Sequence, residues 1–188
     1  VLFCYAFGMA FYPHRHEGPV FVCGNALCLH EDLEQARKVY PSAPIIAVNG
    51  AAREVKAIAL FSYHPERFVE RGFEWIRRQH LFGSDFTVHG SRFMPDMPWV
   101  QYWHEEARGG GSSAWGARKL AKLLGFDLVV LCGCPMTAGP YVGNHGLGGT
   151  MTHESIVERY QQEIMQDTEW HKGCYSMSGA TKDILGSC

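Results

Sequence analysis

At 188 residues with 46% hydrophobic content, the chain can bury a substantial core and is expected to make one domain. A formal charge of -2 gives no global attraction to nucleic acid or an anionic membrane, so neither is expected as a partner. Seven cysteines scattered among apolar segments read as reduced core thiols of a cytoplasmic protein rather than a disulfide framework.

Residues 1–18 form an N-terminal extension. Its apolar start is too short to span a bilayer and lacks a basic leader, and a first residue of valine fits a trimmed chain or one with residues ahead of it. His14 and His16 make an H-x-H pair that no further ligand motif completes, so a solvated loop is expected there. Residues 19–23 are a compact apolar run ending at Gly24-Asn25, the first central strand. Leu33, Ala36 and Val39 then recur at helical spacing behind Glu31 and Asp32, whose charge suits a helix amino end.

Residues 44–48 repeat the pattern, ending at Asn49-Gly50. In an open parallel sheet the ligand crevice lies outside the carboxyl ends of the strands, which brings Asn25 and Asn49 to one edge. An asparagine amide donates and accepts, which suits a nucleobase, ribose or sugar hydroxyl; the plainer alternative is a left-handed turn residue. Residues 57–62 give a third strand, placing His64 at the same edge as a ligand contact or a strand cap. Residues 66–79 read as a helix burying Phe68, Val69, Phe73 and Ile76.

Between 80 and 108 the pattern weakens, with short strands expected at 86–88 and 99–103. Trp99, Tyr102 and Trp103 read as core aromatics, with the frame of a flat ligand or an oligomer interface as alternatives, and His104-Glu105-Glu106 as a water-facing turn or, on a weaker signal, a metal site. Gly109-Gly110-Gly111-Ser112-Ser113 then opens a helix in which Ala114, Ala117, Leu120, Ala121 and Leu124 form the buried stripe and Arg118, Lys119 and Lys122 take the other face. A glycine-rich turn before a helix amino end stabilises an anion, and Ser112 and Ser113 supply hydroxyls for a phosphate or for capping. Residues 126–131 are a strand buried on both faces, and Cys132 and Cys134 after it read as packing. Residues 137–150 carry five glycines without an apolar period and are expected to form a lid, in which Tyr141 and His145 are capable of phosphate or acid-base chemistry. A helix capped by Thr152 and reaching Gln166 follows, with Ile156, Val157, Tyr160 and Ile164 facing inward and His153 at its start. A last short strand at 174–177 and a terminal helical turn at 180–185 complete the chain.

The whole reads as a single three-layer, Rossmann-like α/β domain with a mainly parallel sheet. Three segments, Cys23-Gly24-Asn25-Ala26-Leu27, Val48-Asn49, and Gly111-Ser112-Ser113 through Leu131-Cys132-Gly133, resemble the bacterial sialyltransferases that use CMP-sialic acid and the related domain of archaeal hydroxymethylpterin pyrophosphokinases. Ala26-Leu27-Cys28-Leu29 stands where those families have Gly-Pro-Ser-Leu, and Cys134-Pro135 where they have an acidic residue. The resemblance implies a nucleotide-sugar glycosyltransferase. Gly24, Asn25, Asn49, Gly111, Ser112, Ser113 and Tyr141 would bind the nucleotide, and His145 would be the base, with His153 competing for that role. No metal cofactor is required in this reading. A non-catalytic nucleotide- or protein-binding module is the alternative, and a pyrophosphokinase the second alternative, for which no convincing pair of Mg²⁺ carboxylates is present.

Overall fold

The computed structural model describes residues 16–69, 86–108, 112–138 and 154–188. The triple glycine, residues 139–153 and the helix expected beyond residue 69 lie outside them. Seven short apolar runs form β1 (Pro19–Cys23), β2 (Ile45–Val48), β3 (Ala59–Ser62), β4 (Thr87–Gly90), β5 (Tyr102–Trp103), β6 (Leu128–Cys132) and β7 (Cys174–Ser176). They lie in the order β5-β4-β3-β2-β1-β6-β7. Every neighbouring pair is parallel, so all seven carboxyl ends share one edge. β2 and β3 are buried along their whole length, and β1 and β6 at all but the first residue. Both sheet faces are therefore covered, which is why these strands read as unbroken apolar runs rather than alternations.

Parallel neighbours need crossover connections, and the helices that make them form the outer layers. On one face α1 (Leu29–Val39) lays Leu29, Leu33 and Ala36 against Phe21, Cys23, Ala47, Leu60 and Val130. On the other, α3 (Ser113–Leu123) lays Ala117, Leu120 and Ala121 against Val20, Val22, Ile46, Phe61 and Leu131. Ile164 of α4 (Glu154–Gln166) and Ile184 of α5 (Gly179–Leu185) join that second core. The described part of α2 (Glu66–Val69) follows β3. The three-layer α/β architecture is as expected from the sequence. β1 is the switch point: its neighbours are β2, reached through α1, and β6, reached through α3 from the far edge.

Three expectations are corrected. Arg118 and Lys119 are buried, not solvated. Arg118 stacks on Trp115, 3.7 Å from its ring centre, and donates to Trp170 O, while Lys119 Nζ reaches Asp167 Oδ2 at 2.7 Å. The carboxyl end of α4 and the short helical turn after it cover that flank of α3, so the helix has little free face left. His104 is buried rather than water-facing, although Glu105 and Glu106 beside it are exposed. Ile156 is 36% exposed, because the inward stripe of α4 is centred on Val157 and Ile164 and Ile156 lies off it.

Candidate functional site

The site residues of the described chain come from the exits of β1, β2 and β3 and from the amino end of α3. Between β1 and β6 the exit is locked backbone to backbone. Gly24 N donates to Cys132 O at 2.8 Å and Ala26 N to Gly133 O at 3.1 Å. A Cβ on Gly24 would stand 2.5 Å from Gly133 O and 2.6 Å from Cys134 Sγ, so packing alone requires glycine there. Gly133 has φ +64, and its amide donates at 2.8 Å to Oδ2 of the buried Asp32. Ser178 Oγ donates to the same oxygen at 2.7 Å. Asp32, which the sequence presents only as a favourable charge at a helix amino end, is thus also a latch between α1, β6 and the segment after β7.

One strand over, Asn25 meets the exit of β2. Asn49 has φ 50, the left-handed turn conformation, and opens the short helical turn Asn49–Arg53. A Cβ on Gly50 would stand 3.0 Å from Asn25 Nδ2, so glycine at 50 gives the Asn25 amide its room. The structure brings Asn25 together with Asn49-Gly50 at the carboxyl edge, and both asparagines are half-buried.

The exit of β3 is tied to α3. Tyr63 N donates to Ser113 Oγ at 3.3 Å, and the Tyr63 hydroxyl donates to Ala107 O at 2.7 Å. Gly116 is where α3 passes over the tyrosine ring, since a Cβ there would fall 2.4 Å from the hydroxyl oxygen. Burial pushes the Tyr63 hydroxyl well above its ordinary value, so it remains a donor rather than an ionisable group. Ser112 takes the capping role: its backbone is extended and its Oγ accepts from Ala114 N at 3.2 Å. Ser112→Ala is expected to destabilise the chain by about 1 kcal/mol, the usual worth of such a cap, read as a lower urea midpoint at unchanged slope. His64, exposed at the same exit, places Nδ1 3.1 Å from Glu66 Oε1.

The remaining candidates are structural. His16 stacks on Phe126 at 4.6 Å. His89 and His104 form a buried pair, Nδ1 to Nε2 at 2.9 Å, with Thr87 Oγ1 on His89 Nε2 at 2.7 Å and Tyr102 stacked on the His89 ring. Trp99 and Trp103 pack against the core on the α1 side. Six cysteines of the described chain are free thiols, with Cys23, Cys132, Cys134 and Cys174 buried. No group of three potential metal ligands occurs among the described residues. Nor is any helix there long and apolar enough to cross a membrane. Gly111, Tyr141, His145 and His153 lie outside the described residues. Asp32, Tyr63 and Glu66 escaped the sequence reading as parts of this edge; the one local signal was the His-Pro-Glu order of residues 64–66.

This parallel sheet, with asparagines at two central exits and a serine-capped helix beside the third, has the α/β, Rossmann-like fold found in glycosyltransferases. Two particular structures illustrate the likeness. One is the Maf glycosyltransferase from Magnetospirillum magneticum AMB-1, with a TM-score of 0.57 and 16% identity over 89% of this chain and 33% of that one. The other is the sialyltransferase CstII from Campylobacter jejuni, in complex with the substrate analogue CMP-3FNeuAc, with a TM-score of 0.54 and 10% identity over 91% of this chain and 88% of that one. The chain thus spans about a third of the Maf protein. At these identities the likeness is one of fold, and it agrees with the resemblance to sialyltransferases carried by the sequence motifs. No protein-family model and no curated protein matches the sequence.

Proposed function

We propose that the chain is a glycosyltransferase that binds a nucleotide-sugar donor across the exits of β1, β2 and β3. The observation that carries this reading is the meeting of Asn25 with Asn49-Gly50 beside the amino end of α3, on the ligand edge of a parallel sheet whose fold is shared with two glycosyltransferases. The asparagine amides would hold the base or ribose, with Gly24 beneath them. Gly111, Ser112 and Ser113 at the helix amino end, together with Tyr141, would hold the phosphate. Transfer then needs an acceptor hydroxyl that loses its proton to a base as its oxygen bonds the anomeric carbon. The bond from that carbon to the phosphate oxygen breaks, and its electron pair stays on the phosphate. The sequence pattern offers His145 as that base, with His153 as the competing candidate. We place the reaction in the cytoplasm, consistent with the free thiols, and without a required metal.

Incubation of the purified chain with CMP-, UDP- and GDP-sugars, with and without a chelator, tests this by chromatography of the released nucleotide. The expected result is chelator-insensitive release from one donor class, with Asn25→Ala raising KM about tenfold or more through loss of a paired amide. Binding without release would favour the non-catalytic module, and Mg²⁺-dependent pyrophosphate transfer from ATP would favour the pyrophosphokinase.

A further inference from the structure

The exit of β3 carries a histidine and a carboxylate whose pairing serves neither the sheet nor the core. His64 N donates to Ser62 Oγ at 2.9 Å and its carbonyl accepts from Arg67 N at 3.1 Å, so the backbone that bears the imidazole is held at both ends. The side chain is 55% exposed, with Nδ1 3.1 Å from Glu66 Oε1. An ionised carboxylate can only accept, so the hydrogen in this contact is carried on Nδ1. That choice of tautomer leaves the lone pair on Nε2, and Nε2 has no hydrogen-bond partner among the described residues. Glu66 Oε2 is buried without a hydrogen-bond partner, which leaves His64 as the carboxylate's one hydrogen-bond partner among the described residues. The Nδ1 contact thus holds the ring in the tautomer and orientation that present Nε2 as a proton acceptor.

The position is as specific as the chemistry. Tyr63, the residue before His64, is bonded through its amide to Ser113 at the start of α3. Val48 of β2 is in register with Phe61 of β3, so Asn49 and the exit bearing His64 lie side by side on the carboxyl edge.

We propose that His64 is the general base of the transfer reaction, with Glu66 as the positioning residue that fixes its tautomer; this rests on the glycosyltransferase reading above. The acceptor O–H proton passes to His64 Nε2 as the acceptor oxygen bonds the anomeric carbon, and the nucleotide phosphate leaves with the electron pair of the broken bond. Nothing is oxidised or reduced. Water serves as acceptor in donor hydrolysis by the same step.

The test is donor breakdown by the full chain with the CMP-, UDP- and GDP-sugar panel, comparing wild type with His64→Ala, His64→Gln, Glu66→Gln and His145→Ala. His64→Ala and His64→Gln are expected to lower kcat by about 100-fold or more while KM moves by less than about threefold, the usual loss for an acid-base group. Added imidazole is expected to restore part of the kcat of His64→Ala and none of that of His64→Gln, whose longer side chain fills the space. Glu66→Gln is expected to fall about tenfold in kcat, with Glu66→Asp recovering part of it, because an amide no longer dictates the tautomer. Wild-type turnover retained within about threefold by His64→Ala would overturn this assignment alone, and loss confined to His145→Ala would return the role to His145. Absence of turnover by the wild type on every donor would overturn the transferase reading and this role with it. Because His64 is exposed, the unfolding midpoint of its variants is expected to fall by no more than about 4 °C, the worth of the lost contact with Glu66.

Discussion

Asp167→Ala is expected to destabilise the chain by about 3 kcal/mol, lowering the unfolding midpoint by about 6–12 °C for a domain of this length. One carboxylate oxygen, Oδ2, receives Trp115 Nε1 at 2.7 Å and Lys119 Nζ at 2.7 Å, with Arg118 Nη2 at 3.9 Å. Arg118 is fully buried between the rings of Trp115 and Trp170, and Lys119 is nearly so. Removing the carboxylate leaves the indole N–H without its acceptor, Lys119 with the longer contact to Arg108 O at 3.4 Å and Arg118 with Trp170 O but no counter-charge beside it, in a largely dry layer, the situation in which deleting one partner costs far more than the pair contributes. Burial raises the Asp167 pKa, but the hydrogen bonds from Lys119 and Trp115 outweigh it and the net shift is downward. The charged form is accordingly the one the fold uses. Asp167→Asn keeps an acceptor but loses the charge and is expected to fall between alanine and wild type. A change below about 1 kcal/mol in urea titration of Asp167→Ala would contradict this account. The consequence reaches the site, because this cluster holds the flank of α3, whose amino end carries Ser112 and Ser113.

The second large effect is on acid stability. His89 and His104 stack at 5.1 Å and share one N–N contact. A single N–H satisfies that contact, and protonating both rings would set two donors against each other. Burial, then the neighbouring His104, pushes His89 down to about 3. Burial also pushes His104 down to about 4, against an upward pull from Glu106. Both folded values lie below the ordinary histidine value of 6.5, so between there and about pH 4 the unfolded chain binds protons that the folded chain refuses. Stability is full above pH 6.5 and falls as the pH drops through this window, by up to about 1.4 kcal/mol per pH unit for each histidine. Among the described residues, Thr87 and Tyr102 are the other side chains that touch His89. Thermal unfolding from pH 8 to pH 4.5 is expected to show a flat plateau and then a steep decline below about pH 6. The double variant His89→Gln/His104→Gln is expected to flatten the decline. A wild-type midpoint unchanged between pH 6.5 and 4.5 would show that the pair is not kept neutral by the fold.

The fold was legible where one physical rule dominates. Residues 19–23, 44–48 and 126–131 are unbroken apolar runs because they lie in a sheet covered on both faces, and parallel topology then sends their polar exits to one edge. Asn25 and Asn49 could be placed together on that argument alone. What stayed hidden depends on partners distant in the chain. Arg118 and Lys119 look solvated by helical periodicity, and only Asp167 and Trp170, brought back by α4, make them buried. His104 looks like part of a polar turn until the β4–β5 register sets it against His89. Asp32 looks like a helix-end charge because its partners Gly133 and Ser178 lie more than 100 residues on. In the site, Ser112 and Ser113 offered two roles by composition, and geometry gives both of them backbone amides to satisfy.

The measurement that bears most directly on the central claim is calorimetric titration of the purified chain with CMP, UDP, GDP and their sugar conjugates, in wild type and in Asn25→Ala. Saturable binding of one nucleotide class without added metal is expected, weakened about tenfold or more in Asn25→Ala while the unfolding midpoint stays put. Absence of heat or saturation for every nucleotide, or binding that Asn25→Ala leaves unchanged, would contradict it.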